Sequence, residues 1–144
     1  MTQETIPYVH LIERQIVTLL ADTILQAGYL IEIDNGGGED EIALAPTAER
    51  SAVMEALFAS GYDTLNIYDN EGNYQGFFYL VYNLGAYVIS NYTGNELFDR
   101  LARPAEALSR KIEGWVDDAG YFDREMNTEV NADLTYDTAL PRAA

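Results

Sequence analysis

The stretch Gly76–Tyr82, reading Gly-Phe-Phe-Tyr-Leu-Val-Tyr, constrains the fold more than any other segment. Side chains along a strand alternate between its faces. Phe77, Tyr79 and Val81 therefore point one way, and Phe78, Leu80 and Tyr82 the other. Both faces are apolar, the mark of a central strand covered on two sides. One face is a core beneath helices. The other is covered by the C-terminal segment, by a second copy of the chain or by a partner protein.

The flanking sequence supplies the rest of the sheet and its helices. Val9, Ile12, Ile16, Leu19 or Leu20, and Leu25 recur at helical spacing over residues 8–27, with Gly28 as the left-handed stop. Tyr29–Asp34 alternates as a strand. The turn Asn35-Gly36-Gly37-Gly38 leads to a return strand over Ile42–Ala45. Thr47 is placed to cap a second helix carrying Val53, Met54, Leu57 and Phe58, closed by Gly61. Residues 63–92 read as a three-stranded meander. Its first hairpin loop is Asp69–Asn73, its second turn is Asn83-Leu84-Gly85, and its last strand runs from Ala86 to Tyr92. Thr93 and Glu96 match a capping box before a third helical stripe of Leu97, Leu101, Leu108, Ile112 and Trp115. Pro104 predicts a kink there, or two helices. The class is α+β: an antiparallel sheet of about five strands with three helices packed mainly on one face. The globular domain covers residues 1–116. Residues 117–144 form an acidic tail, partly disordered or docked through Tyr121, Phe122, Met126, Leu134 and Tyr136.

Charge narrows the function. The net charge is −16. Residues 1–95 carry −11, residues 96–111 carry +1 and residues 112–144 carry −6. Most acids lack a basic neighbour, sit in water and steer basic partners toward the protein. Free nucleic acid and anionic lipid are repelled by the same field. No apolar run approaches the ~20 residues of a membrane span. Met1–Pro7 lacks the basic-then-apolar pattern of a signal peptide, so the expected location is the cytoplasm.

Chemistry finds little to work with. The absence of cysteine excludes a disulfide framework, a thiolate metal site and a cysteine nucleophile. His10, the single imidazole, has no serine elbow to serve. Asp69–Asn73 has oxygens at calcium-loop positions, but Tyr74 and Leu80 stand where that loop needs Gly and Glu. The glycines at 36–38 lack a following Gly-Lys-Ser/Thr, and the acids at 39–41 would repel phosphate. The sequon Asn91-Tyr92-Thr93 has no secretory signal to give it meaning. No catalytic residue, metal ligand or cofactor is expected.

Of the eleven tyrosines, Tyr62, Tyr68, Tyr74, Tyr79, Tyr82 and Tyr87 are among those in or beside the meander. Tyrosine suits interfaces because it buries area at small entropic cost and keeps a polar tip. The expected partner-binding residues are Glu39, Asp40, Glu41, Asp69, Glu71, Tyr68, Tyr74 and Tyr82. They suit a non-catalytic domain whose carboxylates stand in for phosphates on a basic nucleic-acid-handling protein. Size, acidity and lack of catalytic groups resemble those of anti-restriction, anti-CRISPR and nuclease-immunity proteins. In length, acidity and element order the chain also resembles class I type III secretion chaperones, which implies an acidic dimeric adaptor for an extended client. That family has three strands between its first two helices, where this sequence shows two.

Overall fold

In the computed structural model, residues 8–35 and 43–113 are described. The elements are α1 (Tyr8–Gln26), β1 (Leu30–Asp34), β2 (Leu44–Thr47), α2 (Arg50–Ala56), β3 (Tyr62–Tyr68), β4 (Tyr74–Val81), a 3-10 turn (Gly85–Tyr87), β5 (Ile89–Tyr92) and α3 (Glu96–Glu113). The five strands form one antiparallel sheet in the order β2-β1-β3-β4-β5. This is the α+β arrangement the sequence predicts, with β4 interior. Alternation decides which side is core. Ile31, Ile33, Leu65, Ile67, Phe78 and Leu80 are fully buried and share one cluster with residues of all three helices. The helices therefore cover one face of the sheet. No helix of the described residues is long and apolar enough to cross a membrane.

Helix α1 is buried nearly all round, rather than along the single stripe expected. Leu11, Ile12, Ile16, Val17, Leu20 and Ile24 are buried, and so are Glu13, Gln15, Thr18 and Asp22. Neighbours on several sides explain this: α1 packs against α3, the 3-10 turn, α2 and β1. Its polar groups then need partners inside the protein. Asp22 accepts from Arg50 Nε at 2.8 Å, which ties α2 to α1.

Several boundaries differ from the expectation, each for a local reason. The return strand β2 starts two residues late, so Thr47 ends a strand and does not cap α2; its Oγ1 accepts from Glu49 N at 3.0 Å. Helix α2 stops at Ala56, and Leu57 is already extended at ψ 156°. Phe58, not Gly61, takes the left-handed conformation, at φ +67°. Strand β5 starts at Ile89, because the 3-10 turn uses residues 85–87. Thr93 is recruited by the sheet: Phe77 N donates to its Oγ1 at 2.9 Å. Asn95 caps α3 instead, its Oδ1 accepting from Phe98 N at 2.9 Å. Pro104 neither divides nor ends α3. It lies on the exposed side, where solvent can serve the carbonyl one turn back that its missing N–H leaves over. The limits at residues 116 and 117, Trp115 and the acidic tail lie outside the described residues.

Gly76 sits where β4 passes under the start of α3, at φ +153°. A Cβ there would meet Thr93 Oγ1 at 2.5 Å and Phe98 Cζ at 2.7 Å. Gly76→Ala is expected to cost about 3 kcal/mol, from overpacking and a backbone conformation that L residues avoid. In chemical denaturation the midpoint should fall while the slope stays unchanged.

Candidate functional site

The sheet face away from the helices carries the side chains that alternate with the core. These are Leu30, Glu32 and Asp34 of β1, Tyr62, Thr64, Asn66 and Tyr68 of β3, and Phe77, Tyr79 and Val81 of β4. The register sets them in rows. Asp34 lies beside Thr64 and Thr64 beside Tyr79; Glu32 lies beside Asn66 and Asn66 beside Phe77. Acids thus line one margin of an aromatic patch. The Tyr62 and Tyr79 rings are 5.8 Å apart, and Tyr68 and Tyr74 meet edge to face at 5.6 Å. Tyr62 is 37% exposed and Tyr74 55%. Asn66 Nδ2 donates to Glu32 Oε1 at 2.9 Å, which holds this carboxylate in place. Burial first, and then the Glu32 charge, push the Tyr68 phenol up from its ordinary pKa.

Of the expected partner-binding residues, Tyr68 and Tyr74 do share this face. Glu71 is exposed on the β3–β4 loop. Asp69 has a different task. Its Oδ1 accepts from Glu71 N and Asn73 N, both at 2.9 Å, and its Oδ2 from Asn73 Nδ2 at 3.1 Å. These bonds, that of the Asn73 backbone foremost, hold its carboxyl below the ordinary range; Asp69 builds the turn. Tyr82 is a correction: alternation places it on the inward side, where it is buried with Phe78 and Leu80. Glu39, Asp40 and Glu41 lie outside the described residues. Glu32, Asp34 and Phe77 carry no such expectation, and Tyr62 and Tyr79 stand among the meander tyrosines but outside the expected binding set. The alternation Ile31-Glu32-Ile33-Asp34 was the available signal, but the pairing of β1 with β3 is what brings the acids to the tyrosines.

A second polar cluster lies inside the fold, at the end of the sheet where β3 begins and β4 ends. The expectation that acids sit in water fails for Glu13, Asp22 and Asp63. Glu13 Oε2 accepts from Leu84 N at 2.7 Å and Gly85 N at 2.8 Å, pinning the chain after left-handed Asn83. Asp63 Oδ2 accepts from Phe58 N at 3.0 Å and from the Tyr82 hydroxyl in a short hydrogen bond. Asp63 Oδ1 is buried with no hydrogen-bond partner among the described residues. Burial raises the Asp63 pKa, against the opposing effect of those two donors. The Tyr82 phenol is likewise pushed up, by burial and then by the Asp63 charge. The Phe58 ring packs on Tyr82 at 4.8 Å, with the Arg14 guanidinium carbon 5.4 Å from the Phe58 ring centre.

No group of three or more His, Cys, Asp or Glu placed to hold a metal ion occurs among the described residues. No family model, curated protein or solved structure matches the chain. The geometry is therefore the ground for reading function.

Glu13→Ala should cost about 3 kcal/mol, because two backbone donors lose a buried acceptor. Glu13→Gln keeps one acceptor oxygen and should cost about 1 kcal/mol. Thermal unfolding of the two variants against wild type checks the order.

Proposed function

We propose that this chain is a non-catalytic, acidic protein-interaction domain, with the open face of its sheet docking onto a basic surface of a nucleic-acid-handling protein. One observation carries the reading: Glu32 and Asp34 share the outward face of an antiparallel sheet with Tyr62, Tyr68, Tyr74 and Tyr79, of which Tyr62 and Tyr74 are exposed. Carboxylates fixed on a strand can occupy the Arg and Lys side chains that otherwise hold phosphates. Adjacent tyrosines supply apolar area, and their ring faces attract guanidinium groups. Charge argues against the other covers for this face. The segment 112–144 carries −6 and a second copy carries −16, so both are repelled by Glu32 and Asp34, whereas a basic partner is drawn in. An inhibitor of a restriction, CRISPR or nuclease-toxin system would use this chemistry.

The dimeric-chaperone alternative has less support. Among the described residues, two strands stand between α1 and α2 and three between α2 and α3, an order unlike that of the chaperones it resembles.

A labelled arginine–glycine repeat peptide tests the face, with binding followed by fluorescence anisotropy over a salt series. Affinity should fall steeply with salt. The double variant Glu32→Gln with Asp34→Asn should weaken binding on the order of tenfold, or about 1.4 kcal/mol. The control pair Glu49→Gln with Glu55→Gln removes the same charge from exposed positions elsewhere and should weaken it less than twofold by screening. Equal losses in both pairs would mean diffuse charge alone, and no docking face.

A further inference from the structure

The turn joining α2 to β3 is held in a conformation its sequence does not favour. Phe58 is a bulky L residue at φ +67°, a state that costs on the order of 1–3 kcal/mol unless its surroundings enforce it. The enforcing contact is the Asp63 carboxyl group, which accepts the Phe58 N–H. Ala59, Ser60 and Gly61 are exposed. The remaining ties hold the two ends of the turn: Leu57 is buried in the core, Gly61 O accepts from Tyr82 N at 3.1 Å, and Ser60 Oγ donates to Tyr62 O at 2.8 Å or to Asn35 O at 3.3 Å.

The two oxygens of Asp63 are used unequally. Oδ2 takes both donors, and Oδ1 is enclosed with none. A proton on Oδ1 leaves the two hydrogen bonds at Oδ2 intact. An anion there places charge on a dry oxygen, which costs far more than a dry hydroxyl. The groups around it do little to neutralise that charge. Tyr82, at the end of β4, donates one bond and itself feels the Glu13 carboxylate of α1. Arg14 of α1 lies over the Phe58 ring and forms no ion pair with Asp63.

We propose that residues 57–61 form a proton-operated latch, shut on neutral Asp63 and released when Asp63 ionises. Release lets water reach Oδ1, returns Phe58 to ordinary backbone space and loosens the start of β3 at Tyr62. The sign follows from linkage. Burial raises the Asp63 pKa in the shut form, so the shut form binds the proton more tightly than the open one. Opening therefore increases as pH rises from the ordinary carboxylate range to that raised value, and then levels off.

Hydrogen exchange of the Phe58 amide in the full chain tests this, after correction for intrinsic exchange. The open population should rise up to tenfold per pH unit within that window and plateau above it. Asp63→Asn, which cannot ionise, should make the profile flat. Tyr82→Phe removes a donor that favours the anion, so the plateau should begin at higher pH; this variant keeps the test available if Asp63→Asn fails to fold. A flat profile in wild type, an unchanged slope in Asp63→Asn, or a plateau that stays put or moves down in Tyr82→Phe would each overturn the latch.

Discussion

Phe78 is the contact through which distant parts of the chain reach one another. It is fully buried and lies opposite Leu65 across the β3–β4 pair. Its ring packs at 5.3 Å on Tyr92 of β5 and at 5.0 Å on Phe98 of α3. Removing such a ring costs about 3–5 kcal/mol in most cores, a large share of the total stability of a domain this size. Gly76 serves the same junction from below, since only a residue without Cβ lets Thr93 and Phe98 close over β4. The edge strand β5 is thus joined to the sheet by aromatic contact as well as by backbone pairing, and helix α3 by aromatic contact.

Strict periodicity made much of this fold readable. The two-sided apolar run of β4 marks an interior strand, and the alternation of Leu65 and Ile67 sets the face of β3. What the sequence left obscure was where polar side chains go once neighbours arrive. Thr47, Thr93 and Gly61 each carry a local signal for a helix end, yet Thr47 closes a strand, Thr93 bonds the sheet and Phe58 takes the left-handed position. Tertiary partners outweighed local preference, because a buried donor must be satisfied wherever it lies. Glu13 and Asp63 are the extreme case. No pattern of spacing announces that a carboxylate on a helix will hold the backbone at residues 84 and 85.

The acids of this protein thus fall into distinct physical populations. Glu32 and Asp34 face outward, half-buried, on the sheet face that also carries the tyrosines, and Asn66 holds the Glu32 carboxylate. Asp69 is consumed by its own loop. Glu13 and Asp63 are enclosed and act on the backbone. A formal charge of −16 therefore overstates the anionic surface in some places and hides a titratable interior in another. The candidate face was legible only in part for the same reason. Tyr68 and Tyr74 announce themselves by composition, whereas Glu32 and Asp34 join them only through a crossover past α2 that brings β1 beside β3.

The alternation in β1 has a consequence for how the chain assembles. Ile31 and Ile33 face the core while Glu32 and Asp34 face outward. Sliding this strand by one position against β3 would drive both carboxylates into hydrocarbon and expel both isoleucines. Misalignment is thereby punished twice, once by dehydration of charge and once by wetting of oil. The residues best placed to greet a cationic visitor thus also proofread the sheet, a duty their amide counterparts, still averse to hydrocarbon, would keep.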